Sequence, residues 1–333
     1  MHSTPRHPFT GMPLFAILGS MSTTGVRLPR FRRAAAETQP MQMTPRDLDI
    51  LRQIAAHRFL RSSQIAALVG GSAQQVLRRL RLLFHHGYLE RPCAQIDYYH
   101  NGGGSQEMVY GLASRGAGRL RRDLDMPFSR MDWSGKNKRA GRLFLEHALM
   151  VSDIMVALEF ACRKSPGIRL LTDADIPLPP VAKKSREPFH WHVNLSTRHR
   201  VGVIPDSVFG LEYADLPEGR NRAWFFLEAD RGTMPVLRQN LDQTSFFRKM
   251  LAYEATWTQS IHRTRLGVHR FRVLTITNSP ERAANLAAAC GQLERGQGLF
   301  LFGDSAALLA GDDLLNYVFE TGRTGERTSL SAH

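Results

Sequence analysis

Two consecutive glycines, Gly70 and Gly71, separate a short apolar segment from the basic stretch AQQVLRRLRLLFHH, and this punctuation constrains the fold more than any other feature of the chain. Glycines end helices because they take positive φ without steric cost. Ser72, directly after them, is a capping residue for the helix that follows. Upstream, Thr44 places a capping hydroxyl before Pro45 at a first helical position, and Leu48, Leu51, Ile54 and Ala55 then recur at helical spacing. A second, shorter helix carrying Ile65 and Leu68 follows Ser62 and Ser63, which can cap it. In the third helix Val76, Leu80, Leu83 and Phe84 form the apolar stripe, and Gln74, Gln75, Arg78, Arg79 and Arg81 turn largely outward. Helix, short helix, glycine turn and basic helix is helix-turn-helix order.

Beyond it, Ile96 to Tyr99 and Met108 to Leu112 flank Asn101-Gly102-Gly103-Gly104, which reads as strand, tight turn and strand. This hairpin is the expected wing, with Asn101 at its tip. Ser114 caps a further basic helix, RGAGRLRR. A winged helix is therefore expected, in which Gln74 and Gln75 approach base edges in the major groove of duplex DNA while Arg78, Arg79 and Arg81 hold phosphates or guanines. For any one arginine the alternative is a solvated basic face. His57, His85 and His86 read as packing or solvent-facing residues.

The charge distribution points the same way. Up to Arg142 the chain has 22 Lys and Arg against 9 Asp and Glu, whereas from Leu143 onward 22 face 21. A surplus serving only solubility would be spread evenly; a one-sided one is the footprint of a nucleic-acid-binding module. Membrane adsorption would call for a basic amphipathic helix with exposed Trp, Phe or Leu, and no apolar run approaches the roughly 18 residues of a membrane span. The Arg-rich opening forty residues have one acid, Glu37, and no A-x-A site after Leu14 to Leu18, so they read as a disordered tail rather than a targeting peptide. Translation starting at Met41 or Met43 would also account for them. Cys93, Cys162 and Cys290 lie far apart with no C-x-x-C pair, so neither a disulfide framework nor a structural zinc is suggested, and a reducing cytoplasm fits.

At 333 residues the chain is long enough for two domains, and with 43% apolar and 22% charged residues each can build a globular core. From Leu143 the pattern changes to alternating helices and apolar strands. LFLEHALMVSDIMVALEFACRK is a long helix and IRLLT a strand; PLPPVAKKSREP, from Pro177 to Pro188, reads as a surface loop. HRVGVIPDSVFGL and RAWFFLEAD read as strands, VLRQNLDQTSFFRKMLAYEATW as a helix, FRVLTIT as a strand, SPERAANLAAAC as a helix and LFLFG as a strand.

This order, with Pro205-Asp206 in one strand and Glu228-Ala229-Asp230 at the end of the next, resembles the PD-(D/E)xK nuclease fold. The resemblance implies that Asp206 and Glu228 hold Mg or Mn, which polarises phosphate and activates water. Glu146, which shares a helix face with Asp153, is a further metal candidate, with ordinary solvation as its alternative. Where such enzymes carry a lysine, this chain has Asp230, of opposite sign. Catalysis then requires Lys249 or Arg231 to supply the cation; Tyr253, one turn beyond Lys249, shares its face. The candidate catalytic set is Asp206, Glu228, Asp230 and Lys249. His147, in line with Val151, Ile154 and Leu158, reads as a core histidine, and His190 and His192 as a chance pair.

Over residues 44 to 303 the chain resembles the replication-relaxation family of plasmid and mobile-element proteins, which joins a winged helix to a nuclease-like domain. RDLDILRQIAAHRFLRSSQIAAL, LRRLRLLFHHGYLERP, VYGLASRGA, EHALMVSD, IPDSVFGL and FFLEADRGT carry the likeness. The expected fold class is α/β (α+β), an N-terminal winged helix-turn-helix followed by a restriction-endonuclease-like mixed-sheet domain. Its expected parts are a basic tail (1–43), the winged helix (44–142), the nuclease-like domain (143–305) and a C-terminal helix and tail (306–333). The expected function is duplex-DNA binding in replication or mobilisation. A metal-dependent nicking or cleaving endonuclease and a transcriptional repressor with a sensing domain are the alternatives. A homodimer and replication or mobilisation proteins are left open as partners.

Overall fold

The computed structural model describes residues 30–34, 40–95, 107–126, 132–311 and 313–332. Helix α1 (Pro45–His57) starts on a capping box. The Asp47 amide donates to Thr44 Oγ1 at 3.3 Å, and Asp47 Oδ2 accepts from the Thr44 amide at 2.7 Å. Strand β1 (Phe59–Arg61) runs into α2 (Ser62–Val69), where Gln64 Oε1 accepts from the Arg61 amide at 2.9 Å. Arg61, not Ser62 or Ser63, therefore holds the capping position. Gly70 and Gly71 take φ of 75° and 78°, a pair of left-handed positions that reverses the chain into α3 (Ala73–His85). Strands β2 (Leu89–Glu90) and β3 (Val109–Leu112) complete an antiparallel sheet of order β1-β3-β2, and α4 (Ser114–Leu124) follows. The strand expected at Ile96 to Tyr99 and the tip with Asn101 lie outside the described residues; β3 pairs with β1 and β2.

Parts of the expected tail lie against this first unit. Arg33 donates to the Phe84 and Leu89 carbonyls, both at 3.1 Å, and Met41 and Met43 pack on the core.

The second unit begins with the 23-residue helix α5 (Arg142–Lys164). There follow β4 (Ile168–Leu171), α6 (Pro180–Lys183), β5 (Trp191–Asn194), β6 (Arg200–Val203), β7 (Ser207–Tyr213), β8 (Arg222–Asp230), α7 (Phe246–Thr258), α8 (Ile261–Thr264), β9 (Arg272–Thr277), α9 (Pro280–Cys290), β10 (Phe300–Asp304), α10 (Ser305–Ala310), β11 (Phe319–Thr321) and β12 (Arg327–Thr328). Seven strands form one mixed sheet of order β12-β11-β10-β9-β8-β7-β4, in which β8, β9 and β10 are parallel and the other neighbours antiparallel. The fold class is α+β.

Side chains alternate across the sheet as the two-residue strand period requires. Phe226, Val273, Phe300 and Phe302 pack with α7, α9 and the β5–β6 hairpin; Phe225, Leu227, Leu274, Ile276 and Leu301 pack with α5 and α10. Burial on both faces is why the parallel strands read as unbroken apolar runs.

Several sequence boundaries shift. The single strand expected over HRVGVIPDSVFGL divides into β6 and β7 in different sheets, because Pro205 lacks the amide a continuous ladder needs. Helix α7 begins only at Phe246, where Ser245 Oγ accepts from the Arg248 amide at 3.2 Å; ahead of it the Asp242 amide bonds Asn240 Oδ1 at 2.9 Å in a side-chain turn. The Pro177–Pro188 loop contains one helical turn, α6. Residues 306–333, expected as helix and tail, supply β11 and β12 to the sheet.

One long-range pair locks α3 onto α1. Arg79 donates from Nε to Asp47 Oδ1 at 2.8 Å and from Nη2 to Oδ2 at 2.5 Å, and Asp47 is fully buried. Removing one partner of such a pair leaves a buried charge uncompensated, which typically costs ~3–5 kcal/mol. Arg79→Ala should therefore lower the urea midpoint of unfolding by an amount equivalent to about 3 kcal/mol with an unchanged m-value. A midpoint within error of wild type would show that this fork does not hold α3 in place.

Candidate functional site

The β7–β8 register pairs Ser207 with Leu227, which brings Asp206 beside Glu228. Alternation along β8 turns Glu228 and Asp230 with Phe226 toward the α7 and α9 side. Glu228 is 2% exposed, and α7 answers it with two residues one turn apart: Lys249 Nζ donates to Oε2 at 2.6 Å and the Tyr253 hydroxyl to Oε1 at 2.5 Å. Burial raises the Glu228 carboxyl above its ordinary value; Lys249 opposes and Asp206 adds to the rise. Burial alone would lower the Lys249 ammonium, yet the charges of Glu228 and Asp206 outweigh it and the net direction is upward. Tyr253 is held well above its usual value by burial and by the charge of Glu228. The ammonium and the Tyr253 hydrogen bond thus oppose the burial that favours the neutral carboxyl.

Asp206 is satisfied separately. Its Oδ1 lies 2.9 Å from His147 Nε2 and its Oδ2 accepts from the Ala229 amide at 2.8 Å. The hydrogen bond to Asp206 raises His147 above its ordinary value in spite of burial, with Lys249 opposing. His147, expected in the core, is half-buried and joins the cluster; the apolar residues sharing its helix face hid it from sequence reasoning.

The remaining carboxylates lie elsewhere. Asp230 binds Arg282 of α9, whose Nε is 2.7 Å from Oδ2, and accepts from the Thr277 hydroxyl at 3.2 Å. It forms a buried ion pair at the end of β8, separate from the hydrogen bonds that join Glu228, Lys249 and Tyr253. Glu146 pairs with Arg231 and, at 2.9 Å, with Arg142, so neither the metal role expected for Glu146 nor the cation role considered for Arg231 is met. Asp153 is held by Arg61 and, at 2.8 Å, by Gln64. The His190 and His192 rings lie 5.1 Å apart beside β5.

This donor set does not fit a hard dication. All four oxygens of Asp206 and Glu228 accept hydrogen bonds, one from an ammonium that would repel the ion. Among the described residues no group of three or more His, Cys, Asp or Glu is placed to hold a metal.

On α3, Gln74, Gln75, Arg78 and Arg81 are exposed, and Gln75 Oε1 accepts from Arg46 at 3.1 Å. Arg79, expected to contact DNA, is occupied by Asp47 and by the Gln42 carbonyl at 2.8 Å.

An α+β protein is thus defined by an exposed basic helix in its first unit and a neutralised carboxylate cluster in its second. The replication-relaxation family model matches residues 51–270, from α1 to the approach to β9, and the chain belongs to that family. No curated protein and no solved structure matches it. No helix among the described residues is long and apolar enough to cross a membrane.

Because His147 is raised in the folded state, its protonated form favours folding fully below the unfolded value of ~6.5, and that contribution is lost as pH rises through the folded value. His147→Gln should cost more stability near pH 6 than near pH 8.5, measured by urea denaturation. In an Asp206→Asn background that pH dependence should vanish. An equal cost at both pH values would show that Asp206 does not hold the proton.

Proposed function

We propose that this protein binds duplex DNA through α3 of a winged helix and acts in the replication or mobilisation of a plasmid or other mobile element. The observation that carries the reading is the outward face of α3. Gln74, Arg78 and Arg81 stand exposed on a helix seated by the fully buried Val76, Leu80 and Leu83, directly behind the Gly70–Gly71 turn. The order α1-β1-α2-α3-β2-β3, with its β1-β3-β2 sheet, supports it, being the order in which a winged helix presents its recognition helix. So do the basic surplus before Leu143 and the family's link to replication.

Equilibrium binding to a duplex over ~50 to ~200 mM salt tests this, since each neutralised phosphate contributes about −0.9 to the logarithmic salt slope. Arg78→Ala with Arg81→Ala should flatten the slope by about 1.8 and weaken binding. A folded double variant with wild-type affinity and slope overturns the reading.

A metal-dependent endonuclease is the second reading, favoured by one observation: Asp206 and Glu228 adjoin on neighbouring strands, with Lys249 reaching them from α7. We infer that the cluster as built is not a metal site, because Lys249 holds the oxygen a cation would take. Supercoiled plasmid incubated with the protein and millimolar Mg²⁺ or Mn²⁺ should stay supercoiled, and Mn²⁺ should leave the melting temperature unmoved. Nicking that disappears in Asp206→Asn would reverse this inference.

A further inference from the structure

A cleft of about 630 Å³ opens where a 3-10 helix, Asp132–Arg139, meets the start of α5. Arg58, Lys136, Lys138, Arg139 and Phe144 line it together with a single acid, Glu90, which is itself paired with Arg33 at 2.6 Å.

The fold orients these cations. Asn137 is fully buried with Nδ2 donating to the Leu112 carbonyl at 2.9 Å, and Ser134, three residues earlier, is 2% exposed. In a helix of three residues per turn those two share the inward face, which leaves Lys136, Lys138 and Arg139 in solvent. From the opposite wall Arg58 takes φ 65° and ψ −51°, a costly conformation for a residue with a Cβ. There it lays its guanidinium 4.5 Å over the Phe144 ring, which is still 39% exposed. At an ordinary helix end glycine would serve in that region; here the residue is an arginine whose guanidinium covers an aromatic.

Four cations around a half-open aromatic are the parts of a single-strand site. Phosphates meet the charges, and an unpaired base stacks on the arginine–phenylalanine surface, as a base inside a duplex cannot. The volume suits one or two nucleotides, lying in the ~300–1,000 Å³ range of pockets that enclose small ligands. Phe144 and His147 are neighbours on one face of α5, so the cleft opens one helical turn from the Asp206–Glu228–Lys249 cluster. We propose that this cleft holds a single-stranded segment of DNA. Its chemistry is independent of α3, so either site can fail alone.

The test uses the full chain and fluorescence anisotropy with a labelled single strand of about 15 nucleotides and a duplex of matching sequence, over ~50 to ~200 mM salt. Lys136→Ala, Lys138→Ala and Arg139→Ala together should weaken single-strand binding at least tenfold and flatten its salt slope by about 2, at ~0.7 per charge, while duplex affinity changes less than about twofold. Arg78→Ala with Arg81→Ala should show the reverse selectivity. Arg58→Gly, which relieves the backbone, should keep the melting temperature yet lose single-strand affinity, and Phe144→Leu should lose severalfold through stacking. Unchanged single-strand binding by a folded triple variant overturns the proposal, and so does an equal loss on duplex and single strand.

Discussion

Helix α5 is buried by two cores at once, and the rest of the molecule is arranged around that constraint. Val156 and Phe160 pack into the core of the first unit, while Ile154, Leu158, Ala161 and Cys162 pack under the seven-stranded sheet. A helix with apolar residues on two sides cannot leave either to water, so the two units share it. Between the cores Ser152, 1% exposed, points its hydroxyl at the Phe59 carbonyl at 2.7 Å, with the His57 carbonyl also in reach at 3.1 Å. Arg61 and Gln64 meet Asp153, and Arg163 meets the Leu68 carbonyl, along the same seam. A boundary drawn at residue 142 therefore divides the sequence but not the packing, and the helix that carries Phe144 and His147 is fixed from both sides.

The same economy governs the buried charges. Asp47, Glu228 and Asp230 are each almost wholly withdrawn from water, and each meets one cation from another element: Arg79 of α3, Lys249 of α7 and Arg282 of α9. A charge buried without a partner is costly, so each of these carboxylates is met by a counter-charge. This makes acid clusters ambiguous in a sequence. Glu228 and Asp230, two residues apart on one strand face, look like two ligands of one ion, yet α7 and α9 each supply a separate counter-charge and draw them into separate pairs.

What was legible in the sequence follows from the range of each interaction. The Thr44-Pro45 start, the Gly70–Gly71 turn, the stripe of α3 and the apolar runs of β8, β9 and β10 are local patterns, and they placed those elements closely. Asp206, Glu228 and Lys249 were singled out through the nuclease resemblance and Tyr253 through its i, i+4 spacing from Lys249, and the four lie together. Arg79 with Asp47, Arg282 with Asp230 and His147 with Asp206 lie 32, 52 and 59 residues apart, and nothing near either partner marks the pairing. The three-residue β11 and two-residue β12 escaped for a related reason: strands so short carry no alternation to read, and it is pairing that makes them, β11 on the β10 edge and β12 on β11.

Arg78 and Arg79 show how far neighbouring residues of one type can diverge. Successive positions on a helix are turned by about 100°, so two stripes run along α3 rather than one basic face. Gln75 and Arg79, four apart, lean on α1, where Arg46 and Asp47 receive them. Gln74, Arg78 and Arg81 form the other stripe and stand exposed. The first stripe fixes the rotation of α3 about its axis, and that rotation decides where the second stripe points. A long, flexible side chain binds phosphate weakly if its helix can roll, because ordering the helix is then part of the cost of binding. Here the buried fork on Asp47 meets that cost during folding, so the outward arginines stand on a helix that is already held.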